Sequence, residues 1–118
     1  MTSSPLPNYL RAYRKRAALS QNEVAFLLGT NSGANVCRAE SFTREPTLTT
    51  ALAYEVIYQT PTSQLFGGLF DEIQKQVATR AKIMTYRKPG KSKQRNLQKT
   101  QTLAKLLSPS SSNVAKPK

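Results

Sequence analysis

The side chains best equipped for chemistry in this 118-residue chain are its cations. Eighteen Lys and Arg stand against six Asp and Glu, a net charge of +12, and there is no histidine. Such an excess attracts anions, so the expected partner is nucleic acid first, and an acidic protein or membrane surface next. The charge is unevenly spread. Residues 1–70 hold Arg11, Arg14, Lys15, Arg16, Arg38 and Arg44 against Glu23, Glu40, Glu45 and Glu55, a net +2. Residues 71–118 hold the other twelve basic groups against Asp71 and Glu72, a net +10. A nearly neutral first part thus carries a polycationic extension, and that density favours contact with nucleic acid.

Catalysis has little to work with. The chain has one cysteine, Cys37, and no histidine. That excludes a Cys/His zinc site, a Cys–His dyad and a Ser–His–Asp triad. A carboxylate mechanism has few candidates among six acidic residues. The expectation is a protein that is not an enzyme, with no cofactor and no metal. Cys37 has no resolving partner and reads as an ordinary helical side chain. A single cysteine allows no internal disulfide, which agrees with a reducing cytoplasm. No apolar run approaches the length of a membrane span, and MTSSPLPNY lacks the basic and apolar regions of a signal peptide.

The elements that must position the polar groups are helical. Residues 1–7, rich in Ser and Pro, read as a flexible arm. Asn8 is the expected cap of a first helix to about Ala17, with Leu10, Tyr13 and Ala17 on one face. Ser20 and Glu23 form the S-x-x-E capping box of a second. Val24, Ala25, Phe26, Leu27 and Leu28 are expected on its buried side, and Gly29 stops it. After a turn over Thr30–Ala34, Asn31 or Ser32 caps a third helix to about Glu40, with Val36 and Ala39 inward. Ser41–Pro46 reads as a polar loop. Pro46-Thr47 opens a fourth helix, with Leu48, Ala51, Leu52, Tyr54, Val56 and Ile57 as apolar surface. Thr60–Ser63 opens a fifth, and Leu65 and Phe66 complete the core.

Gly67-Gly68 reads as a hinge. Beyond it Leu69, Phe70, Ile73, Val77, Ala81 and Met84 recur at helical spacing to about Tyr86. Pro89-Gly90 breaks the pattern, and a last helix is expected over about Lys93–Leu107. The resulting expectation is an all-α chain: a five-helix domain over 8–68, a basic, partly helical extension over 69–107, and a disordered tail over 108–118.

Two short helices joined by a tight turn form the geometry that lets the second enter a DNA major groove. The segment from Leu10 to Phe66 resembles the phage-repressor/Cro-like, or XRE, family of helix-turn-helix regulators. The resemblance rests on Leu10-x-x-x-Arg14, Leu19-Ser20-Gln21-x-x-Val24-Ala25-x-x-Leu28-Gly29, Val36-Cys37-Arg38-Ala39-Glu40, Pro46-Thr47-Leu48 and Pro61-Thr62-Ser63-Gln64-Leu65-Phe66. It covers about half the chain, in the family's order and spacing. The stretch from Gly29 to Glu40 is one residue longer than the family's usual turn and third helix.

The resemblance implies roles. Gln21, at the start of the second helix, would touch a DNA phosphate, helped by the free N–H groups there. The third helix would read bases. Gly33 and Ala34 stand where the family often has a polar reader; Ala34 would at most touch a thymine methyl. Ser32, Asn35 and Arg38 remain, Asn pairing with adenine and Arg with guanine. Ser41, Thr43 and Arg44 complete the implied DNA-binding set. Arg14 and Glu40 match a structural salt bridge between the first helix and the end of the third.

The implied function is that of a cytoplasmic transcriptional regulator binding double-stranded DNA by sequence. The apolar stripe Leu69, Ile73, Val77 and Met84 is the candidate contact of a homodimer, the alternative being that it caps the domain's own core. Two other readings stay open. One is an antitoxin that autoregulates its operon and binds a toxin protein through residues 69–107. The other is an RNA- or ribosome-associated adaptor.

Overall fold

The computed structural model describes residues 6–108. Among these the chain is all-helical, with seven helices and no strand. They are α1 (Leu10–Arg16), α2 (Gln21–Leu28), α3 (Gly33–Glu40), α4 (Leu48–Tyr58), α5 (Thr62–Leu65), α6 (Gly67–Thr85) and α7 (Lys93–Leu106). Internal contacts divide the chain into two units that part between Asp71 and Glu72.

In the first unit the core is Leu10, Val24, Ala25, Val36, Ala39, Tyr54, Leu65 and Phe66. Tyr54 is its largest fully buried side chain. The Phe66 ring meets Tyr54 edge-on at 6.4 Å, and Tyr58 stacks on Tyr54 at 6.0 Å.

α1 differs from its expected form at both ends. Its cap position is Tyr9, whose side chain makes no capping bond. Asn8 lies one residue earlier and is buried. Its Oδ1 accepts the Leu10 N–H at 3.1 Å, and its Nδ2 donates to the Ala39 carbonyl at 3.0 Å. Asn8 therefore starts α1 and ties it to the end of α3. Ala17 is exposed outside the helix, off the inward face expected of it. Ala18 then turns left-handed at φ 63°. The Ala18 N–H donates to the Lys15 carbonyl and the Leu19 N–H to the Arg14 carbonyl. This is the Schellman closure, made here without glycine.

The capping box of α2 is present: the Ser20 hydroxyl accepts from the Glu23 N–H at 3.0 Å, and the Glu23 carboxylate accepts from the Ser20 N–H at 2.8 Å. The expected burial of all five residues Val24–Leu28 is corrected. Val24 and Ala25 are buried and Leu28 partly so, whereas Phe26 is 81% exposed and Leu27 53%. Successive residues advance about 100° around a helix, so five in a row cannot share one face. The same rule corrects α4. Thr47 caps it through the Thr50 N–H, and Tyr54 faces the core with Ala51, Ile57 and Tyr58 beside it. Leu48, Leu52 and Val56, spaced by four, form an outward stripe.

α5 has no capping side chain of its own at Pro61. Its start is satisfied from α4 instead, the Thr62 N–H donating to the Glu55 carboxylate at 3.1 Å. The expected hinge at Gly67-Gly68 is also corrected, because both glycines lie in the first turn of the 19-residue α6. The free N–H groups of that turn find carbonyls in the N-terminal segment: Gly68 donates to Leu6 at 2.9 Å and Leu69 to Pro7 at 3.2 Å. Leu6 and Pro7 are thus tied down, which corrects the expected arm; residues 1–5 lie outside the described residues. A Cβ at Gly67 would sit 3.2 Å from the Tyr9 ring, so the glycine permits this close approach.

The second unit holds the rest of α6 and α7. Ser92 caps α7 by accepting from the Arg95 N–H at 3.2 Å. Ala81 and Leu103 are buried. Phe70, Ile73, Val77 and Met84 of α6 are exposed, while Leu69 packs partly against the first unit's core. Of the expected disordered tail, residues 109–118 lie outside the described residues.

Candidate nucleic-acid interface

α2 ends at Gly29, which is left-handed at φ 84°. Its N–H donates to the Phe26 carbonyl, and the Thr30 N–H donates to Ala25. Two residues later Ser32 caps α3, its hydroxyl accepting the Ala34 N–H at 3.0 Å. The turn is therefore defined at both ends by local hydrogen bonds.

The starts of α2 and α3 are pressed together. A Cβ at Gly33 would lie 2.5 Å from Asn22 Oδ1 and 3.3 Å from the backbone of Gln21 and Asn22. Gly33 is buried, so it is a packing position and offers no outward reading position on α3, contrary to the place the family pattern gives it. The exposed residues of α3 are Ala34, Asn35, Cys37 and Arg38.

Two hollows flank that face. One is open and polar, lined by Arg11, Ser20, Gln21, Asn22, Ser32 and Cys37 among others. The second is lined by Thr30, Asn35, Arg44, Thr47 and Thr50, with Tyr54 behind them. Gln21 and Ser32 thus gather in one hollow, Asn35 and Arg44 in the other. Arg38, Ser41 and Thr43 lie at the end of α3, outside both.

Arg38 and Asn35 are paired with each other: Arg38 Nη1 donates to Asn35 Oδ1 at 3.0 Å on the exposed surface. One helical turn separates them, so both point the same way. The loop after α3 wraps the Arg38 carbonyl, which accepts from the Thr43 and Arg44 N–H groups and from the Ser41 hydroxyl. The Ser41 and Thr43 hydroxyls lie 3.0 Å apart. Phe42 between them is left-handed at φ 67°. The hydroxyls of Ser41 and Thr43 are therefore occupied in closing the helix end, while the Arg44 side chain is exposed.

Arg14 and Glu40 form a two-pronged ion pair. Arg14 Nε donates to Glu40 Oε2 at 2.6 Å and Nη2 to Oε1 at 3.1 Å. Nη1 donates to the Leu19 carbonyl at 2.9 Å. Every nitrogen of the guanidinium is engaged, and the pairing holds Arg14 still more firmly protonated. Gln21 joins the group, its Nε2 donating to Glu40 Oε1 at 3.1 Å. Glu40 therefore gathers α1, the start of α2 and the end of α3 onto one carboxylate.

Behind this group lies Tyr58, whose buried hydroxyl has no hydrogen-bond partner among the described residues. Burial, reinforced by the Glu40 charge and opposed by Arg14, pushes its hydroxyl up to about 12. Burial likewise raises Tyr54.

Arg11, Asn22, Thr47 and Thr50 share these hollows and were missed from the sequence. Only Arg11 carried a signal, a basic residue one turn before the position of Arg14. No family model, curated protein or solved structure matches the chain. Among the described residues there is no group of three or more His, Cys, Asp or Glu able to hold a metal ion. No described helix is long and apolar enough to cross a membrane.

Proposed function

We propose that the chain is a sequence-specific DNA-binding transcriptional regulator, whose first unit works as an XRE-type helix-turn-helix domain. The observation that carries this reading is the outward face of α3. It offers a paired amide and guanidinium, Asn35 and Arg38, beside an open polar hollow at the start of α3, with Asn35 also lining a second, mainly apolar one. An amide reads adenine and a guanidinium reads guanine, each through two hydrogen bonds in the major groove. The internal pair between them is exposed, so exchanging it for base edges costs little.

In this reading the abutting starts of α2 and α3 direct free N–H groups and Arg11 at the phosphate backbone. The partly buried Arg14–Glu40 pair positions the interface, and Gln21 is aimed by its bond to Glu40. Control of transcription is steric, by a bound protein that blocks or recruits polymerase. A homodimer doubles the sequence read by two short helices.

The reading predicts a split between two variants on a library of duplex sites. Arg38→Ala loses about 1–3 kcal/mol of discrimination at one base position. Gln21→Ala weakens all sites alike. Retention of the full wild-type preference by Arg38→Ala would remove α3 as the reading helix.

A further inference from the structure

The second unit carries a feature that DNA reading does not use. No Asp or Glu follows Glu72 in the sequence. Among the described residues, none of the cations from Lys75 to Lys105 forms an ion pair. The end of α6, the link after it and α7 enclose a groove of about 470 Å³. Met84, Leu103 and Leu107 line it, and so do Arg87, Lys88 and Lys99. Met84 and Leu107 remain over a third exposed. The link is held in place: Gly90 donates its N–H to Asn96 Oδ1 at 3.2 Å, and Asn96 Nδ2 donates to the Gly90 carbonyl at 2.8 Å. The wall bearing Arg87 and Lys88 is thereby tied to α7 before any partner arrives, which lowers the cost of binding.

The charge and the apolar lining together specify an occupant. Residues 109–118, PSSSNVAKPK, bring two more lysines and no acid, so this segment does not supply the opposite charge. Nucleic acid would meet the cations, yet no aromatic ring lines the groove on which a base could stack. We infer that this groove docks an acidic amphipathic segment of another protein. The partner's apolar residues seat on Met84, Leu103 and Leu107 while its carboxylates meet Arg87, Lys88 and Lys99. Apolar anchors on an amphipathic helix laid in a groove, with charges along the rim, are a recurring mode of peptide recognition.

The test uses the full chain and a synthetic helical peptide with leucines at i, i+3, i+4 and i+7 and glutamates on the other face. A scrambled peptide of the same composition and a single-stranded oligonucleotide of matched charge serve as comparators. Fluorescence anisotropy gives the affinities, and hydrogen–deuterium exchange maps where each probe sits. The amphipathic peptide should bind about tenfold more tightly than its scrambled form. Lys88→Glu and Lys99→Glu should each weaken it by about tenfold, and Met84→Gln should weaken it too. Protection should appear over residues 84–88 and 99–107. If Met84→Gln loses helicity, the two exposed lysine variants and the exchange map still decide. Equal binding of the scrambled peptide, protection centred elsewhere, or an oligonucleotide that outcompetes the peptide in the groove would each overturn the inference. The result is independent of DNA reading, because Arg38→Ala should leave peptide affinity unchanged.

Discussion

Replacing Glu40 by alanine probes the point where three helices meet. The Glu40 side chain is 3% exposed and that of Arg14 11%. The substitution removes the acceptor of two Arg14 bonds and one Gln21 bond at once. Only the Arg14 bond to the Leu19 carbonyl survives. Breaking one side of a buried pair costs about 3–5 kcal/mol, because the remaining charge stays desolvated. Arg14 lies near the surface and recovers some water, so about 2–4 kcal/mol is expected for Glu40→Ala. For a unit of this size that lowers Tm by about 13–27 °C. Thermal unfolding followed by circular dichroism measures it. A second variant separates pairing from packing: Arg14→Met combined with Glu40→Leu removes both charges and should restore most of the loss. A drop of under about 3 °C for Glu40→Ala, or a double variant no more stable than the single one, would refute the view that an uncompensated charge sets the cost.

Three further outcomes follow from the first unit. Ala18→Gly should stabilise the chain by roughly 0.5–1 kcal/mol in urea unfolding, since a left-handed alanine costs more than the entropy a glycine adds to the unfolded state. Gly33→Val should destabilise by about 1–3 kcal/mol and disturb α2 and α3 together in amide spectra, because its side chain meets the backbone of Gln21 and Asn22. Burial raises the folded Tyr58 hydroxyl to about 12, so stability is unaffected by its ionisation below the unfolded value of about 10 and falls as pH rises toward its folded value. Urea titrations across that alkaline window should show a fall on the order of 2 kcal/mol. Tyr58→Phe should reduce the fall, leaving the part that belongs to Tyr54, and raise neutral stability by about 1 kcal/mol, through loss of an unpaired buried hydroxyl; an unchanged alkaline slope would remove Tyr58 from this account.

The local signals were legible in the chain itself. Ser20 and Glu23 lie three residues apart and satisfy each other's helix start. Ser32 and Thr47 cap the helices that follow them. Gly29 ends α2, and Pro89-Gly90 separates α6 from α7. Each such feature closes within about four residues, so its physics needs no distant partner. The pairing of Arg14 with Glu40 was suggested by a family pattern, and the structure supplies its geometry.

What the tertiary structure alone decided required groups far apart in sequence. Phe26 and Leu27 face outward because Val24, Ala25 and Leu28 claim the inward arc of α2. Gly67-Gly68 is helical where a hinge was expected, since Leu6 and Pro7 supply carbonyls to the N–H groups of Gly68 and Leu69. Gly33 is buried because the backbone of α2 occupies the space a side chain would need. Asn8 does more than start α1, reaching 31 residues along the chain to the Ala39 carbonyl. Sequence thus determined where α2, α3 and α4 begin, through bonds between near neighbours, whereas α6 takes partners for its first turn from Leu6 and Pro7. Packing determined which faces are covered and which polar groups stay outward, because burial depends on what the rest of the chain brings alongside.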